Sequence, residues 1–266
     1  MARYRELVAD LPSLVLHALR HPDREAVLEE YVRLEMTRPD WRRLQWATYA
    51  KDERTFEWDG QRYPYFYHPY HYTWASERTV ELPLLAAALE EARGRRTLEV
   101  GNVSGHYFPR PPGLTVVDKY ERAEGVRNVD VVDFAPEERF DRILSVSTLE
   151  HVGWDERPRD PAKVGRALDH LASLLAPGGR AFVTVPLGHN PHLDRRLRKG
   201  PPFGGSLGFL RRVSWDNRWR VASAEEVRDA RYGDWKAWRE DPSVHPYPFA
   251  NAIAVITWVR ASSTGA

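Results

Sequence analysis

The chain has 266 residues, 42% of them hydrophobic and 29% charged, which suits one sizeable globular domain with a substantial extension. It has no cysteine, so disulfides, thiolate metal sites and a cysteine nucleophile are excluded. Its 39 basic and 38 acidic residues give a formal net charge of +1, and this balance provides no overall field that would attract nucleic acid.

The N-terminal residues, up to about residue 60, have apolar side chains at helical spacing and no signal-sequence pattern. No apolar run in the chain is long enough to cross a bilayer. We therefore expect a cytoplasmic protein that does not bind membranes and begins with helices packed beside the main domain. Residues 77–92 predict a further helix that leads into the first strand, with Pro83 in its first turn.

An aromatic and histidine-rich tract, residues 63–74, lies between these helical segments and is interrupted by Pro64 and Pro69. Because of these prolines, the tract does not favour a long regular helix. Two interpretations are open: the rings cover the core, or the tract forms a lid over a ligand. In the second, Tyr70, His71 and Trp74 are substrate-binding residues.

From residue 97 onward, apolar strands alternate with helical and turn segments. Strands are predicted over residues 97–100, 114–118, 128–134, 140–147, 180–186, 219–223 and 252–258, with a helix over 162–175. This alternation predicts a parallel sheet with helices on both faces and ligands at the carboxyl ends of the strands. We expect residues 1–92 to be a helical, aromatic-rich extension and residues 93–266 to be the sheet domain.

The first of these strands breaks into a turn of small residues that contains Gly101 and Gly105. Glycine permits backbone angles and close approaches that a side chain would prevent, although two glycines alone are a weak signal. Asp118 closes the second strand, and Asp130 lies in the third predicted strand. Glu150 and His151 follow the fourth strand, and a Leu-Leu-Ala-Pro-Gly-Gly turn precedes the fifth.

These segments, in this order, resemble the class I S-adenosylmethionine-dependent methyltransferases over about residues 97–186. The resemblance implies a Rossmann-like α/β fold with a doubly wound, mostly parallel sheet and an antiparallel C-terminal strand. It implies S-adenosyl-L-methionine as cofactor, with Asp118 at the ribose and Asp130 near the adenine. The cofactor-binding residues are then expected to be Glu99, Gly101, Asn102, Val103, Gly105, Asp118, Lys119, Asp130, Val131 and Ser147.

Two features depart from the family pattern. Val103 stands where the family has its middle glycine, and Pro111 and Pro112 lie where the first crossover helix usually starts. We expect a reshaped pocket rather than a degraded one, because acids stand at 99, 118 and 130. The alternative for Asp118 and Asp130 is that they only form turns at the ends of strands.

Methyl transfer depends mainly on positioning, and a hydroxyl acceptor must also lose its proton. His151 is the predicted base, with Glu150 orienting it, because histidine titrates near neutral pH. His189 is a second candidate on the loop after the fifth strand, where Asn190 and His192 are expected to contact substrate. With Asp194 these histidines could bind a divalent ion, but their spacing matches no standard zinc motif, so we expect no metal.

The sequence thus predicts an enzyme that methylates a small molecule, by O-methylation of a sugar or secondary metabolite. An N-methyltransferase and a non-catalytic methyltransferase-like binding protein are the alternatives, and a homodimer is left open. A nicotinamide dehydrogenase is disfavoured, because Gly101 and Gly105 lack the dinucleotide-binding spacing and Pro111-Pro112 spoil the helix that would receive pyrophosphate.

Overall fold

The computed structural model describes residues 53–68, 70–214, 216–233, 241, 244 and 247–262. These residues fall within one compact unit, Asp52–Ala266. The helices predicted before residue 53 lie outside the described residues, and the predicted domain boundary at 92/93 stays a prediction. No helix in the described part of the chain is long and apolar enough to span a membrane.

Short strands and three α-helices make up the regular structure of these residues. The strands are β1 (Thr55–Trp58), β2 (Gln61–Pro64), β3 (Thr97–Val100), β4 (Leu114–Val117), β5 (Val126–Arg127), β6 (Phe140–Val146), β7 (Leu175–Pro186), β8 (Ser206–Arg212), β9 (Trp219–Ala222), β10 (Tyr232–Gly233), β11 (Phe249–Ala250) and β12 (Ala252–Val259). The helices are α1 (Arg78–Glu91), α2 (Lys163–Leu174) and α3 (Pro191–Leu197).

An eight-stranded sheet in the order β5-β4-β3-β6-β7-β12-β8-β9 forms the centre of the fold. The first five strands in this order pair in parallel. Strand β12 pairs antiparallel with both β7 and β8, and β8 with β9. The predicted Rossmann-like α/β architecture, with its antiparallel C-terminal strand, is confirmed.

Alternate residues along the strands face two different helical layers, because successive side chains of a strand point to opposite faces. Ile143 of β6 packs in one core cluster with α2 and α3. Leu144, the next residue, packs in another with Leu82 and Leu85 of α1. Helices therefore cover both faces of the sheet, and the parallel strands are buried between them.

The third predicted strand is the main error in the expected elements. The strand is Val126–Arg127, and residues 131–133 form a turn. Val131 and Phe134 are buried in the core without pairing in the sheet. The apolar pattern of these residues correctly predicted that they are buried. Burial alone, however, does not distinguish a strand from a packed turn.

Pro83 lies inside α1 and not in its first turn. A proline in a helix interior leaves the carbonyl four residues earlier without its usual donor. Here that carbonyl belongs to Thr79, and it accepts a hydrogen bond from the Phe66 backbone N–H at 3.0 Å. The aromatic tract thus supplies the hydrogen-bond donor that Pro83 cannot provide to the Thr79 carbonyl. This hydrogen bond also fixes the tract against α1.

Candidate cofactor and acceptor site

A pocket of about 440 Å³ opens at the carboxyl ends of β3, β4 and β6. Ligands bind at this edge in open parallel sheets. The predicted site residues on its wall are Tyr70, His71, Gly101, Asn102, Val103, Asp118, Lys119, Asp130, Val131, Ser147 and His151. The other predicted residues lie behind the wall or away from it.

The turn after β3 is held open by glycine and by a buried acid. Gly101 has a φ of +86°, and a Cβ there would clash with the Thr148 side chain. Glu99 lies behind this turn, where its carboxylate accepts hydrogen bonds from the backbone N–H of Ser104 at 2.7 Å and from the Ser104 hydroxyl. Burial raises the pKa of Glu99, although the Ser104 hydrogen bonds oppose this. Glu99 thus fixes the turn from inside the protein.

Gly105 and Val103 have different roles in this turn. A Cβ on Gly105 would crowd the Asn102 amide oxygen, so this glycine makes room for Asn102 and does not line the pocket. Val103 has right-handed helical angles, φ −83° and ψ −48°, which do not require glycine. Its side chain packs with Leu82 and Leu85 of α1 and also lines the pocket. Valine at 103 therefore places an apolar side chain on the pocket wall, where glycine would place none.

The crossover after this turn has no α-helix in residues 101–113, all of which the structure describes. One turn of 3-10 helix, Ser104–His106, takes its place. The Arg110 guanidinium donates to the Glu124 carbonyl at 2.9 Å and to the Asn102 side chain at 3.4 Å. These bonds tie the proline-rich segment to the loop beyond β4, so the rim of the pocket is ordered without a crossover helix.

Asp118 follows β4 and lines the pocket. Its Oδ1 accepts from the backbone N–H groups of Tyr120 and Glu121, at 2.8 and 2.7 Å. Its Oδ2 has no hydrogen-bond partner among the described residues, so one oxygen shapes the turn and the other is available to a ligand. Glu121, which the sequence interpretation missed, also lines the pocket and accepts from Asn102 at 2.5 Å.

Asp130 and Lys119 belong to a group of two acids and two lysines at one side of the pocket. The Lys119 ammonium lies 2.9 Å from Asp130 and 2.8 Å from Glu156. Lys163 pairs with the same two carboxylates, at 2.6 Å from Glu156. Burial raises the pKa values of Asp130 and Glu156, but the lysine hydrogen bonds outweigh it and both fall below their usual values. The four charges balance one another.

His151 lies on the pocket wall beside a carboxylate that the sequence interpretation missed. Asp155 Oδ2 lies 2.5 Å from His151 Nδ1 and 3.0 Å from His189 Nε2. The two imidazole rings meet edge to face with centroids 4.7 Å apart. Burial, followed by the charge of His151, lowers the pKa of His189 and keeps it neutral near physiological pH. Asp155 therefore joins the two histidines into one cluster.

The side chains of His151, Asp155 and His189 offer ligand atoms within 4.8 Å of one another, a spacing that a divalent ion could bridge. His192 and Asp194 do not belong to this group. His192 packs against Trp154, with centroids 5.7 Å apart, and Asp194 accepts from the Gly188 backbone N–H at 3.0 Å. Any metal bound by the described residues here would contact His151, Asp155 and His189.

Buried acids surround Arg78 at the first residue of α1. Its guanidinium lines the pocket and donates to Glu81 at 3.1 Å. Glu81 is fully buried and also accepts from the Ser147 hydroxyl at 2.8 Å and Thr184 at 2.7 Å. Burial alone would lower the pKa of Arg78, but the charges of Glu81 and Glu77 raise it. The guanidinium therefore remains charged.

Glu150 is 1% exposed and lies behind the pocket wall, where Oε1 is 3.4 Å from His151 Nε2. Its other oxygen, Oε2, is buried and has no hydrogen-bond partner among the described residues. Burial raises the pKa of Glu150 well above its ordinary value, and the charge of Glu81 adds to this. Asp155, and not Glu150, has the hydrogen-bonding distance that orients His151.

Aromatic rings of the N-terminal tract and the crossover meet at the pocket mouth. Tyr70 stacks on His106 with centroids 4.6 Å apart and contacts Tyr107 edge to face at 5.7 Å. His71, also on the wall, has a positive φ of 52°. Trp74 is buried against Tyr72 and is absent from the wall. Of the three residues predicted from this tract, Tyr70 and His71 are therefore placed to meet a ligand.

Asn190 and His192 lie away from the pocket. The Asn190 side-chain oxygen accepts from the backbone N–H groups of His192 and Leu193, at 3.0 and 3.2 Å, and so caps α3. Its amide donates to the Glu150 carbonyl at 2.9 Å. Through these bonds Asn190 holds the loop that carries His189 against the segment that carries His151.

Arg78, Tyr107 and Asp155, with Glu121 and Glu156, are among the pocket residues that sequence reasoning missed. The spacing of His151 and Asp155, four residues apart after a strand, was a readable signal for a local pair. Arg78 and Tyr107 gave no such signal, since each reaches the pocket through tertiary packing of its segment. Their positions could be found only from the fold.

Comparison with known proteins identifies the family. A family model described as a methyltransferase domain matches residues 68–248, well over half of the chain. The chain therefore belongs to this methyltransferase-domain family. It is an S-adenosylmethionine-dependent methyltransferase, as the resemblance implied. No curated protein matches the chain.

Among solved structures, N-methyltransferase NodS from Bradyrhizobium japonicum WM9, in complex with S-adenosyl-L-homocysteine, is 18% identical. The match covers 69% of this chain and 87% of that one, with a TM-score of 0.38. The 1,6-didemethyltoxoflavin-N1-methyltransferase of Burkholderia thailandensis is 19% identical, covering 67% of this chain and 76% of that one, with a TM-score of 0.35. Likenesses this distant carry no argument about the acceptor.

The residues present fit the cofactor. Gly101 leaves bare backbone at the turn, and Asp118 has one unpartnered carboxylate oxygen among the described residues, as a ribose hydroxyl requires. Val131 gives an apolar surface beyond it, on the same wall. Backbone, carboxylate and apolar surface thus follow one another along one pocket.

Proposed function

We propose that this enzyme methylates a small polar molecule and that His151 removes the proton from the acceptor atom. The pairing of His151 with Asp155 on the wall of the cofactor pocket carries the proposal. The acceptor is an oxygen or a nitrogen, since either must present a lone pair to the methyl group. The hydroxyl of a sugar or secondary metabolite, expected from sequence, is one such acceptor.

The bound cofactor supplies a methyl group on a positively charged sulfur. Asp118 would hold the ribose of the cofactor through its Oδ2, and the turn at Gly101 would accommodate the methionine portion. Both roles support a fixed position for the reacting carbon, and positioning provides most of the acceleration in such a displacement.

Asp155 keeps the His151 proton on Nδ1, so that the Nε2 lone pair is the one that accepts a proton. The imidazolium that forms is then stabilised by the same carboxylate. His189, held neutral by burial, donates from its own ring to Asp155 and fixes that carboxylate in place. The three residues act as one proton-accepting unit.

Calorimetric titration with S-adenosylhomocysteine tests the cofactor part of the proposal. Wild type should bind, and Asp118→Asn should bind about tenfold or more weakly, because it loses a charged hydrogen-bond acceptor. Asp133→Asn, on an exposed residue outside the pocket, is the matched control. Equal binding by wild type and Asp118→Asn would refute the site. Transfer of tritium from labelled cofactor to fractionated metabolites then identifies the acceptor.

A further inference from the structure

Three side chains with metal-ligating atoms converge beyond the carboxyl ends of β6 and β7. Oδ2 of Asp155 lies 2.5 Å from Nδ1 of His151 and 3.0 Å from Nε2 of His189. The ligand atoms that the three side chains offer all lie within 4.8 Å of one another. A transition-metal ion with bonds of about 2.0–2.2 Å holds its ligand atoms about 3–4 Å apart, so small side-chain rotations suffice to enclose one.

Two loops that are bonded to each other carry this cluster. The Asp155 backbone N–H donates to the His151 carbonyl at 3.1 Å, so one turn after β6 carries both side chains. The loop after β7 carries His189, and the neighbouring Asn190 donates from its amide to the Glu150 carbonyl at 2.9 Å. The cluster is therefore pre-organised, and binding an ion requires little reordering of the chain.

Each histidine ring of the cluster has a further contact besides Asp155. Nε2 of His151 lies 3.4 Å from Oε1 of Glu150, and the ring of His189 meets that of Tyr232 edge to face at 4.8 Å. A ligating histidine is usually oriented by an oxygen that accepts its second N–H. The Glu150 carboxyl can accept that N–H from behind the pocket wall, even in the protonated form that burial favours by raising its pKa.

The donor set of the cluster selects among divalent ions. Imidazole nitrogen suits zinc, copper, nickel and iron, whereas magnesium and calcium prefer oxygen ligands. Three protein ligands with an open fourth position are typical of zinc sites that keep a water. His151 and Asp155 are exposed, so an ion can enter from solvent and water can complete its coordination.

The fold, rather than local spacing, brings these ligands together. The expectation of no metal, drawn from the sequence, concerned His189, His192 and Asp194. Asp155 lies 34 residues before His189 in the chain, so the set has no local motif that the sequence could reveal.

We propose that His151, Asp155 and His189 bind one divalent transition-metal ion of the zinc type, and that the bound ion inhibits methyl transfer. The site itself stands on the geometry of the cluster. The inhibition rests on the proposed function, in which His151 is the base.

The ion inhibits by taking over the His151 nitrogen that faces Asp155. It bonds to the lone pair of Nδ1, and the single proton of the neutral ring then lies on Nε2. An Nε2–H has no lone pair for the proton of the acceptor, so deprotonation stops. The proton of His189 moves in the opposite sense, from Nε2 to Nδ1, and neither ring loses a proton overall.

Calorimetric titration of zinc chloride and of magnesium chloride into the cofactor-free protein tests the site. Zinc should bind wild type about tenfold or more tightly than magnesium. Asp155→Asn and His189→Gln should each weaken zinc binding about tenfold or more. His192→Gln, at a nearby histidine outside the cluster, is the matched control and should leave zinc binding unchanged. Circular dichroism checks that each variant is folded.

Nitrogen-15 NMR of the protein with labelled histidine tests the inhibition. Without metal, His151 should carry its proton on Nδ1, and one equivalent of zinc should move it to Nε2. Tritium transfer from labelled cofactor to fractionated metabolites should then fall about tenfold or more. Removal of zinc with a chelator should restore transfer.

Zinc that binds no more tightly than magnesium, or equally tightly to wild type and to both cluster variants, overturns the site. Bound zinc that leaves the His151 proton on Nδ1, or leaves transfer undiminished, overturns the inhibition. The comparison of the two ions and the NMR measurement use wild type, so they hold even where a variant fails to fold. Failure of the proposed function is distinguishable, because the protein would then bind zinc but not S-adenosylhomocysteine.

Discussion

Asp155 Oδ2 lies 2.5 Å from Nδ1 of His151 and approaches His189 from the other side at 3.0 Å. One carboxylate oxygen thus serves two imidazoles. Because Asp155 follows His151 by four residues on an irregular segment, the pair is fixed locally, while His189 arrives from the loop after β7. In the proposed mechanism, this arrangement leaves Nε2 of His151 as the nitrogen that accepts a proton.

Asp155→Asn should lower kcat by about a hundredfold, within the range of general-base contributions. An asparagine amide can donate to His151 Nδ1 and reverse its tautomer, and it cannot stabilise the imidazolium. Rates are measured with the acceptor identified by tritium transfer, and affinity for S-adenosylhomocysteine is measured alongside and should not change. Asp133→Asn serves as the control. A kcat equal to that of wild type would mean that the base lies outside this cluster.

Gly101→Ala should destabilise the protein more than Gly94→Ala, although both glycines have positive φ, +86° and +70°. Alanine at 94 meets open space, so it bears only the backbone strain of about 1 kcal/mol. Alanine at 101 adds a clash with Thr148, for a total of about 3 kcal/mol, and should also weaken S-adenosylhomocysteine binding. Urea denaturation and calorimetry measure the two effects. Equal losses for both variants would show that contact with Thr148 is unimportant.

Local patterns in the sequence were sufficient to find the strands that carry the candidate cofactor site. β3, β4 and β6 are each short apolar runs that end in a glycine, an acid or a small polar residue, and such runs read directly as buried strands with loops at one edge. Asp118 could be placed for this reason. The resemblance to the methyltransferase motif supplied the proposed role of Asp118 at the ribose.

The acceptor end could not be read in the same way. Arg78 reaches the pocket because α1 packs on the sheet. Of its acidic neighbours, Glu77 and Glu81 are close in sequence, whereas Glu150 comes from the distant segment after β6. Glu150 was expected to orient His151 because it is adjacent in sequence, but adjacent residues on an irregular turn need not face each other. Strand β8 was missed because Gly208 and the terminal arginines mask its apolar pattern.

Lys163→Met should lower the free energy of unfolding by about 2 kcal/mol, because it leaves Asp130 and Glu156 with a single cation. The loss is limited because Lys119 still contacts both acids. Lys199→Met, on an exposed residue, controls for the change in net charge. Urea denaturation at neutral pH measures both variants, and a Lys163→Met protein as stable as its control would show that the group contributes little to stability.

Glu150→Gln should make the protein more stable than wild type near neutral pH. Burial raises the pKa of Glu150 in the folded state, so between the unfolded and folded pKa values the folded protein keeps a proton that the unfolded chain releases. Wild type therefore loses stability as pH rises through this range, by up to about 1.4 kcal/mol per pH unit, whereas glutamine does not titrate.

The advantage of Glu150→Gln should accordingly shrink as pH falls toward the ordinary pKa of a glutamate, where both states of wild type are protonated. Urea denaturation across this pH range measures the difference, with Glu137→Gln as the matched control. A variant less stable than wild type at neutral pH would mean that the Glu150 carboxylate has an ionic partner in the folded protein.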